Sequence, residues 1–434
     1  MLIKNIYESL QKNPFRDILT VEVPGSKSIT NRALLLATLA NGTSTLRNVL
    51  FSDDSRHFLK CIQDLGFETT VDEVNRVITV TGHGGQVPRK EASQYVGSAG
   101  TAARFLTAYL GVSNGIYHMD ASEQMRKRPM APLLKSLTEL GCQITYHEKE
   151  GFFPFTLSGN GFGQNKITVD IEHSSQFLSA LLIASNLSTE DFTVHVEGSH
   201  GMAYIHMTCE MMRQFGVLAK TVGDSFFTKA GQSYQALDYL VEPDVSAACY
   251  FYACAPLLRI PVLVKHVHKK SLQGDVQFLN IMEKLGCTME ETTDGILLHP
   301  PKAEGFPGIT ADMSACSDQA ITLAAIAPFA DSPTTITGIG HIRFQESNRI
   351  NAIVTELGKM GIRCEETESS ITIYPGTPCP SVVETYDDHR MAMGFSLIGL
   401  RSPGITIHDP GCCRKTFENY FEVLDDVTNK LLNQ

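Results

Sequence analysis

The stretch Leu140-Gly-Cys-Gln-Ile-Thr-Tyr-His147 joins the expected end of a helix to the expected start of a strand. Its glycine suits the position just after a helix, where the backbone takes a positive φ that glycine adopts without steric cost. The same helix–glycine–strand pattern recurs along the chain, and its glycines lie 75, 75, 70 and 75 residues apart, at Gly66, Gly141, Gly216, Gly286 and Gly361. This period predicts a structure built from copies of one unit that contains a helix followed by a hairpin.

A second helix recurs with nearly the same period, and it is apolar on almost every face. Its copies are expected to start near Ser28, Thr101, Ser175, Ser246, Asp318 and Asp388. A helix without a polar face is typically buried, and a β-rich segment follows each copy. A chain of 434 residues holds six such repeats of about 72 residues, so the pattern predicts an α/β fold in two groups of three.

The sixth repeat stops after the helical pattern of residues 417–432, before any hairpin. Residues 1–22 are expected to supply its missing strands, which makes one domain discontinuous. Residues 1–23 and 243–434 form this predicted domain with repeats four to six, and residues 24–242 form the second with repeats one to three. Two domains are also expected because one hydrophobic core rarely serves a chain of this length.

Composition excludes several classes of protein. The net charge of −11 argues against nucleic-acid binding, the apolar stretches are too short for a membrane helix, and residues 1–15 lack the apolar centre of a secretion signal. The eleven cysteines are scattered without a Cys-x-x-Cys motif, and His266 and His268 have no third ligand nearby. We therefore expect a cytoplasmic protein with no metal site and with neither a membrane nor a nucleic acid as partner.

Polar residues gather at the expected starts of the buried helices, which read Ser26-Lys-Ser28, Gly97-Ser-Ala-Gly-Thr101, Ser174-Ser-Gln176, Asp244-Val-Ser246, Ser317-Asp318 and Asp387-Asp-His-Arg390. Any one of them fits a helix N-cap. Three parallel buried helices in each domain, however, would turn three positive helix ends towards one face. Basic residues lie at or near the same places: Lys27, Arg32, Arg104, Arg126, Arg128, Arg349, Arg390 and Lys415. This predicts a small molecule with at least two anionic groups, bound in a cleft between the domains.

Eight motifs carry a family resemblance: Pro24-Gly-Ser-Lys-Ser-Ile-Thr-Asn-Arg32, Gly97-Ser-Ala-Gly-Thr-Ala-Ala-Arg104, Arg128-Pro-Met130, Ser174-Ser-Gln-Phe177, Glu242-Pro-Asp244, Gln273-Gly-Asp275, Asp387-Asp-His-Arg-Met-Ala-Met393 and Lys415-Thr-Phe417. In this order they resemble the signatures of the 5-enolpyruvylshikimate-3-phosphate synthases, a family of enolpyruvyl transferases. The resemblance implies two domains, each of three βαβαββ units. It implies transfer of the enolpyruvyl group of phosphoenolpyruvate to the 5-hydroxyl of shikimate 3-phosphate, with loss of phosphate and without a cofactor. We expect a monomer.

The resemblance also implies roles for individual residues. The residues expected to bind phosphoenolpyruvate are Lys27, Gly100, Arg128, Gln176, Arg349, Arg390 and Lys415. Those expected to bind shikimate 3-phosphate are Lys27, Ser28, Arg32, Ser174, Ser175, Gln176, Tyr204, Asp318 and Gln345. The expected catalytic residues are Lys27, Asp318 and Glu346: Asp318 accepts a hydrogen bond from the attacking hydroxyl, and Glu346 with Lys27 transfers protons at C3 of phosphoenolpyruvate.

Four positions depart from the family pattern. His341 and Gln345 stand where asparagine and lysine are common, Gly201 where serine is common, and Phe105 where proline is common. The first two motivate an alternative interpretation, a non-catalytic anion-binding homologue.

A second alternative is the UDP-N-acetylglucosamine enolpyruvyl transferase, which shares the fold. That family has a cysteine in the loop before its Arg-Pro, and residues 120–128 contain none. Gly25-Ser-Lys-Ser28 lacks the spacing of a nucleotide-binding P-loop, so we do not predict a nucleotide site.

Overall fold

The computed structural model describes residues 1–172, 174–199 and 201–433. The chain divides into two compact units. The discontinuous unit comprises Met1–Pro24 and Pro243–Gln434, and the continuous unit comprises Gly25–Glu242. The predicted boundary lay one residue earlier, before Pro24. The carbonyl of Pro24 accepts a hydrogen bond from the Asp244 amide at 2.8 Å, which ties Pro24 to the discontinuous unit.

The chain begins with helix α1 (Tyr7–Lys12) and strand β1 (Leu19–Val21), both in the discontinuous unit. The helices of the continuous unit are α2 (Lys27–Leu39), α3 (Asp53–Asp64), α4 (Gly100–Gly111), α5 (Glu123–Arg126), α6 (Ala131–Glu139), α7 (Gln176–Ala184) and α8 (Met202–Gln214). Its strands are β2 (Asn41–Arg47), β3 (Glu68–Asp72), β4 (Val77–His83), β5 (Glu91–Tyr95), β6 (Gly115–Asp120), β7 (Gln143–Tyr146), β8 (Phe155–Gly159), β9 (Lys166–Asp170), β10 (Phe192–Glu197), β11 (Ala219–Val222), β12 (Ser225–Thr228) and β13 (Asp238–Leu240).

The helices of the discontinuous unit after Glu242 are α9 (Val245–Tyr252), α10 (Cys254–Leu258), α11 (Phe278–Lys284), α12 (Ala320–Ile326), α13 (Arg349–Lys359), α14 (His389–Arg401) and α15 (Tyr420–Leu432). Its further strands are β14 (Val262–Lys265), β15 (Thr288–Glu291), β16 (Gly295–His299), β17 (Thr310–Asp312), β18 (Thr334–Thr337), β19 (Cys364–Glu366), β20 (Ile371–Ile373), β21 (Ser381–Val383) and β22 (Ile405–Ile407). Within the described residues no helix is both long enough and apolar enough to cross a membrane.

Each repeat builds a small mixed sheet. In the described part of the continuous unit, the strand orders are β13-β2-β4-β3, β5-β6-β8-β7 and β11-β12-β10-β9. One pair in each sheet is parallel, as between β5 and β6, and the other pairs are antiparallel. The discontinuous unit has the orders β1-β14-β16-β15, β17-β18-β20-β19 and β21-β22. The predicted α/β fold class is therefore confirmed. One buried helix joins the two parallel strands in the pairs β5–β6, β9–β10, β17–β18 and β21–β22.

The buried helices α2, α4, α7, α9, α12 and α14 begin within two residues of the predicted starts, and their side chains lie in the interior on nearly every face. The outer helices are amphipathic instead. In α13, for example, Ile350, Ile353 and Leu357 are buried at the i, i+3, i+7 spacing of one helical face. The five glycines that end these outer helices have φ between 78° and 98°, so the predicted left-handed helix ends are confirmed.

Residues 1–22 complete the discontinuous unit at two places. The Ile3 amide donates to the Ile405 carbonyl, the Ile407 amide donates to the Met1 carbonyl, and Leu2 bridges antiparallel to Thr406. At this first place the chain adds a single antiparallel bridge to β22, not the strands that were expected to complete the sixth repeat. Strand β1 instead pairs parallel with β14 and opens the fourth repeat, because the fourth repeat also needs a parallel strand before its buried helix.

Candidate functional site

Three predicted anion-binding residues occupy equivalent positions in the continuous unit. Lys27, Gly100 and Gln176 are the first residues of α2, α4 and α7. Helix α4 packs against both α2 and α7. The first amides of an α-helix lack carbonyl partners inside the helix and carry its positive end, so each of these positions favours an anion.

Lys27 lies 3.5 Å from the carboxylate of Asp54, measured from Nζ to Oδ2. The Asp54 side chain is only 2% exposed, and that of Lys27 is 16% exposed. Asp54 lies in the first turn of α3, where Ser52 and Ser55 form a capping box. The sequence analysis missed Asp54, because an acid near the start of a helix is ordinary and only the fold brings it to Lys27.

Gly100 lies in a narrow space bordered by charged and polar groups. A Cβ at this position would lie 3.0 Å from Arg104 Nη1, 3.2 Å from Arg128 Nη1 and 3.3 Å from Gln176 Oε1. Two side chains that are distant in sequence, Arg128 and Gln176, therefore converge on one glycine beside Arg104 of the same helix. Gln176 Oε1 is buried and accepts no hydrogen bond from the part of the chain that the structure describes.

Ser174 and Ser175 form the entry to α7. Ser174 Oγ accepts a hydrogen bond from the Gln176 amide at 3.3 Å, and Ser175 is the N-cap residue of the helix. Gly201, the departure from serine, has a φ of 68°, and a Cβ there would lie 2.5 Å from Ser175 Oγ. The backbone conformation and the contact together account for glycine at this position.

Arg32 is buried between α2 and α8. Its Nε donates to Thr208 Oγ1 at 2.8 Å, its Nη1 to the Ser28 carbonyl at 3.0 Å and its Nη2 to the Tyr204 carbonyl at 3.4 Å. Burial lowers the pKa of Arg32 to about 10, so the side chain remains charged at neutral pH. The guanidinium carbon lies 5.2 Å from the centre of the Phe105 ring, and this cation–π contact gives a reason for phenylalanine where the family often has proline.

Arg126 has a different environment. It donates to Asp120 and Glu148 at 2.7 Å each, in ion pairs with partly exposed side chains. Anion binding therefore does not explain this arginine, although the sequence analysis grouped it with the others.

In the discontinuous unit, Arg349 is the centre of a buried charge network. Arg349 is the first residue of α13, and its side chain is 1% exposed. Its Nε donates to Asp388 Oδ2 at 2.8 Å, its Nη1 to Asp318 Oδ1 at 2.9 Å and its Nη2 to Glu346 Oε2 at 2.9 Å. Further bonds run to Gln345 Oε1 and Asp388 Oδ1. All five N–H donors of the guanidinium are therefore used.

Arg390 and Lys415 contact the second carboxylate oxygens of Asp318 and Glu346. Arg390 Nη2 lies 2.7 Å from Asp318 Oδ2, and Lys415 Nζ lies 3.3 Å from Glu346 Oε1. Burial alone would lower the pKa of Arg349, but the carboxylates of Asp388, Glu346 and Asp318 raise it above its ordinary value. The predicted residues Asp318, Gln345, Glu346, Arg349, Arg390 and Lys415 thus form one connected network.

Asp275 is a second acid that the sequence analysis quoted within a motif without giving it a role. It accepts hydrogen bonds from Ser246 Oγ and, at 3.1 Å, from Gln319 Nε2. Ser246 Oγ in turn accepts a bond from Arg390 Nη2 at 3.4 Å. Burial, and secondarily the nearby Asp318 carboxylate, raises the pKa of Asp275 to about 6.

Of the two departures His341 and Gln345, Gln345 belongs to this network, and His341 lies beside it. His341 Nε2 lies 2.7 Å from Ser317 Oγ, next to Asp318 in sequence, and Gln345 accepts a bond from Arg349.

The described residues contain no group of three or more potential metal ligands. A groove of about 1360 Å³ on the continuous unit, lined by α6, β7 and β9 residues such as Lys135, Tyr146 and Asp170, includes none of the predicted site residues.

Comparisons with known proteins identify the family. The sequence profile of EPSP synthase (3-phosphoshikimate 1-carboxyvinyltransferase) matches residues 18–424. The chain is 46% identical over 404 residues to the 3-phosphoshikimate 1-carboxyvinyltransferase of Trichormus variabilis, covering 93% of this chain and 94% of that protein. It is 39% identical over 433 residues to 3-phosphoshikimate 1-carboxyvinyltransferase 2 of Halalkalibacterium halodurans, covering 95% and 96%.

A solved structure of EPSP synthase from Acinetobacter baumannii has a TM-score of 0.78 and 26% identity, covering 95% of this chain and 97% of that one. The enolpyruvyl transferase NikO from Streptomyces tendae, at 16% identity and a TM-score of 0.74, shares the fold. The predicted family is therefore confirmed by sequence and by structure: the chain belongs to the EPSP synthase family of 3-phosphoshikimate 1-carboxyvinyltransferases.

Proposed function

We propose that this chain transfers the enolpyruvyl group of phosphoenolpyruvate to the 5-hydroxyl of shikimate 3-phosphate and releases phosphate. The observation that carries the proposal is the placement of Lys27, Gly100 and Gln176, in a member of this family, at the first positions of three buried helices. Both substrates are polyanions, and helix starts with basic side chains beside them bind phosphate and carboxylate groups.

Phosphoenolpyruvate is bound in part by residues around Gly100. Arg128, Gln176 and Lys27 supply donors, and the missing side chain of Gly100 leaves the space that a Cβ would fill against Arg128 and Gln176. Because glycine lets a ligand approach the backbone closely, the first amides of α4 become accessible to the phosphate group.

Shikimate 3-phosphate is bound by the residues at the other helix starts of the continuous unit and by Gln345. Ser28, Ser174, Ser175 and Tyr204 provide hydroxyl groups for its phosphate and hydroxyls. Arg32 adds a charged donor, although its Nε and Nη2 already hold α2 to α8 and its Nη1 bonds the Ser28 carbonyl within α2. Arg32 therefore also fixes the position of Ser28 and Tyr204.

Arg349, Arg390 and Lys415 complete phosphoenolpyruvate binding, and for Arg349 binding requires an exchange of partners. All of its donors are engaged by Asp318, Gln345, Glu346 and Asp388. A substrate carboxylate can bind Arg349 only by displacing one of these groups. Asp388 is fully buried, so Glu346, Gln345 or Asp318 is the group that moves.

The chemistry needs one acid–base pair and one oriented hydroxyl. The 5-hydroxyl oxygen bonds to C2 of phosphoenolpyruvate and gives up its proton to the base that accepts its hydrogen bond, while C3 gains a proton, which gives a tetrahedral intermediate. Loss of phosphate from C2 and of a proton from C3 then regenerates the double bond. Asp318 orients the hydroxyl, and Glu346 with Lys27 exchanges the C3 proton. Displacement of Glu346 from Arg349 couples substrate binding to this role.

An assay of phosphate release tests the proposal. Release is expected only when phosphoenolpyruvate and shikimate 3-phosphate are both present, and Glu346→Gln should lower the rate about 10²- to 10⁴-fold. Release with UDP-N-acetylglucosamine as acceptor would identify the alternative transferase. Tight binding of shikimate 3-phosphate in calorimetry without phosphate release would identify a non-catalytic homologue. The family match favours the first outcome.

We also propose that the chain acts as a cytoplasmic monomer. Its eleven cysteines are free thiols, and most of them are buried, which suits a reducing compartment. Light scattering coupled to size-exclusion chromatography should give a mass near 47.6 kDa. A mass of twice this value would exclude the monomer.

A further inference from the structure

Glu356 is a fully buried carboxylate in the third turn of α13, away from the charge network at the start of that helix. Its Oε1 accepts a hydrogen bond from Tyr386 Oη at 2.6 Å, and its Oε2 accepts one from the Glu384 amide at 3.1 Å. Lys359 Nζ, on the same helix, donates to both oxygens. Because a fully buried carboxylate is costly to leave without hydrogen bonds, these contacts hold the donating segment against α13.

The segment that Glu356 holds is unfavourable in backbone conformation. Tyr386 and Asp387 have φ values of 56° and 53°, in the left-handed region that residues with a side chain rarely adopt. Two consecutive residues in this region persist only where contacts hold them. The hydroxyl of Tyr386, whose pKa is raised to about 12 mainly by burial, stays protonated at neutral pH and can donate.

The next residue is Asp388, the N-cap of α14, and its carboxylate binds Arg349 through Nε and Nη2. Helix α13 and the segment before α14 are therefore joined twice. One junction is Arg349 with Asp388, and the other is Glu356 with Tyr386 and Glu384. Seven residues separate Arg349 from Glu356, which is about 10 Å along the helix.

From this double junction we propose that Glu356 and Tyr386 are positioning residues of the reaction: they hold the 386–387 turn, and so fix the Asp388 carboxylate that orients Arg349. The inference rests on the function proposed above. Arg349 in turn positions Asp318 and Glu346, so a shift of Asp388 alters the geometry of both proposed catalytic acids. A misplacement of this kind, remote from the reacting atoms, lowers turnover.

Tyr386→Phe tests the proposal with the smallest change, since it removes one hydroxyl from a partly exposed ring. We expect kcat to fall about ten-fold and the KM for phosphoenolpyruvate to rise, while the KM for shikimate 3-phosphate changes less than about two-fold. Tyr252→Phe is the matched control, because that buried hydroxyl donates to the Ile296 carbonyl at 3.1 Å in the same unit, without a link to Asp388. It should lower the thermal stability and leave kcat and both KM values within about two-fold.

A double-mutant cycle separates positioning from stability. Ser347 Oγ also donates to Asp388, at 2.9 Å, so Ser347→Ala and Tyr386→Phe should combine less than multiplicatively in kcat, whereas Ser347→Ala and Tyr252→Phe should multiply. Wild-type kinetics for Tyr386→Phe, or multiplicative effects in the first cycle, would overturn the proposal. Glu356→Gln keeps one acceptor for Tyr386 but turns an amide towards the Glu384 N–H. Its kcat should lie between those of wild type and Tyr386→Phe.

A crystal structure of Tyr386→Phe gives a readout that does not depend on activity. Movement of Asp388 away from Arg349 supports the inference, and an unchanged pair with residues 386–387 still at positive φ overturns it. If the wild-type protein releases no phosphate from the two substrates, the proposed function fails, and the crystal structure still decides whether Glu356 and Tyr386 position Asp388.

Discussion

At the scale of single residues, the discontinuous unit neutralises its own cations. Arg349, Arg390 and Lys415 are each paired with Asp318 or Glu346. An anionic substrate must therefore compete with carboxylates that belong to the protein. If the substrate binds these cations as proposed, this competition lowers its affinity, and binding releases whichever of the two proposed catalytic acids it displaces.

Gly100→Ala should weaken phosphoenolpyruvate binding without unfolding the protein. The new Cβ would lie 3.0–3.3 Å from Arg104, Arg128 and Gln176, whose side-chain ends can shift by a few tenths of an ångström. The donors then move away from the anion, so the KM for phosphoenolpyruvate should rise about five-fold, with the melting temperature nearly unchanged. Steady-state kinetics and thermal unfolding provide the two measurements.

The control for this change is Gly358→Ala, where nothing lies within 4 Å of the new Cβ. It should leave the KM unchanged. An equal KM for Gly100→Ala and wild type would mean that phosphoenolpyruvate does not bind next to Gly100.

Asp275→Asn should change how stability depends on pH. Because the pKa of Asp275 is raised to about 6 in the folded protein, against an ordinary 3.8, the folded state binds this proton more tightly than the unfolded state. The wild type therefore loses stability through this group as the pH rises from about 4 to about 6, whereas asparagine does not titrate. The melting temperature of Asp275→Asn relative to wild type should rise between pH 4.5 and pH 7.

Asp312→Asn is the control, because the pKa of Asp312 is shifted in the opposite direction. Hydrogen bonds from Ser314 lower the pKa of Asp312, so this carboxyl is ionised in both states over the same range. The difference in melting temperature between Asp312→Asn and wild type should be nearly independent of pH above about pH 4.5. If the difference in melting temperature between Asp275→Asn and wild type is also independent of pH, the pKa of Asp275 is not raised in the folded protein.

Among the elements, the repeat places a buried helix in each of its six copies and, in five of them, a glycine that ends the outer helix. Side-chain caps vary more than the helix position does. Ser26, Asp244 and Asp388 cap their helices, whereas Ala99 and Ser175 make no side-chain cap bond. The residue at which each buried helix begins is therefore set by the packing of that helix, and the chemical type of its cap residue can vary.

Two glycines in and after α13 should respond oppositely to alanine. Gly358 is an exposed residue in the last turn of the helix with open space around it, so Gly358→Ala should stabilise by about 0.5 kcal/mol. Gly361 has a φ of 78° with only Cys379 Sγ nearby, at 3.9 Å, so Gly361→Ala should destabilise by about 1–2 kcal/mol through the backbone alone. Urea unfolding of both variants measures the difference, and effects of the same sign would contradict the assignment of Gly361 as the helix end.

At the scale of the whole molecule, the first residues of the chain close the unit that its last residues form. Ile3, Ile6 and Leu10 are part of the core of the discontinuous unit, and β1 is an edge strand of one of its sheets. The continuous unit closes itself, because β13 pairs with β2 before the chain leaves at Glu242.

Deletion of residues 1–22 should therefore destabilise one unit selectively. Hydrogen exchange followed by mass spectrometry should show faster exchange in β14, β22 and α14, and nearly unchanged exchange in β5–β8 of the continuous unit. Phosphate release should be lost with the structure of the discontinuous unit. Equal loss of protection in both units would show that the two do not fold separately.

The family could be recognised from the ordered motifs of the sequence. The repeat, the positions of the buried helices and the left-handed glycines could be predicted from the sequence as well. These features follow from rules that act over a few residues, such as apolar periodicity and the conformational freedom of glycine, so they can be predicted before any packing is known. The motifs also named residues at the helix starts, because those positions recur with the repeat.

Which charged groups contact one another could not be predicted without the packing of the elements. Asp54 beside Lys27, Asp275 beneath Ser246, and Glu356 against Tyr386 join residues that are 27 or more positions apart, and no local pattern distinguishes these acids from exposed ones. The same holds for residues 1–22, which serve two different repeats. Burial and pairing depend on packing between distant elements, and the pairing of a charge in turn determines its pKa and its hydrogen bonds.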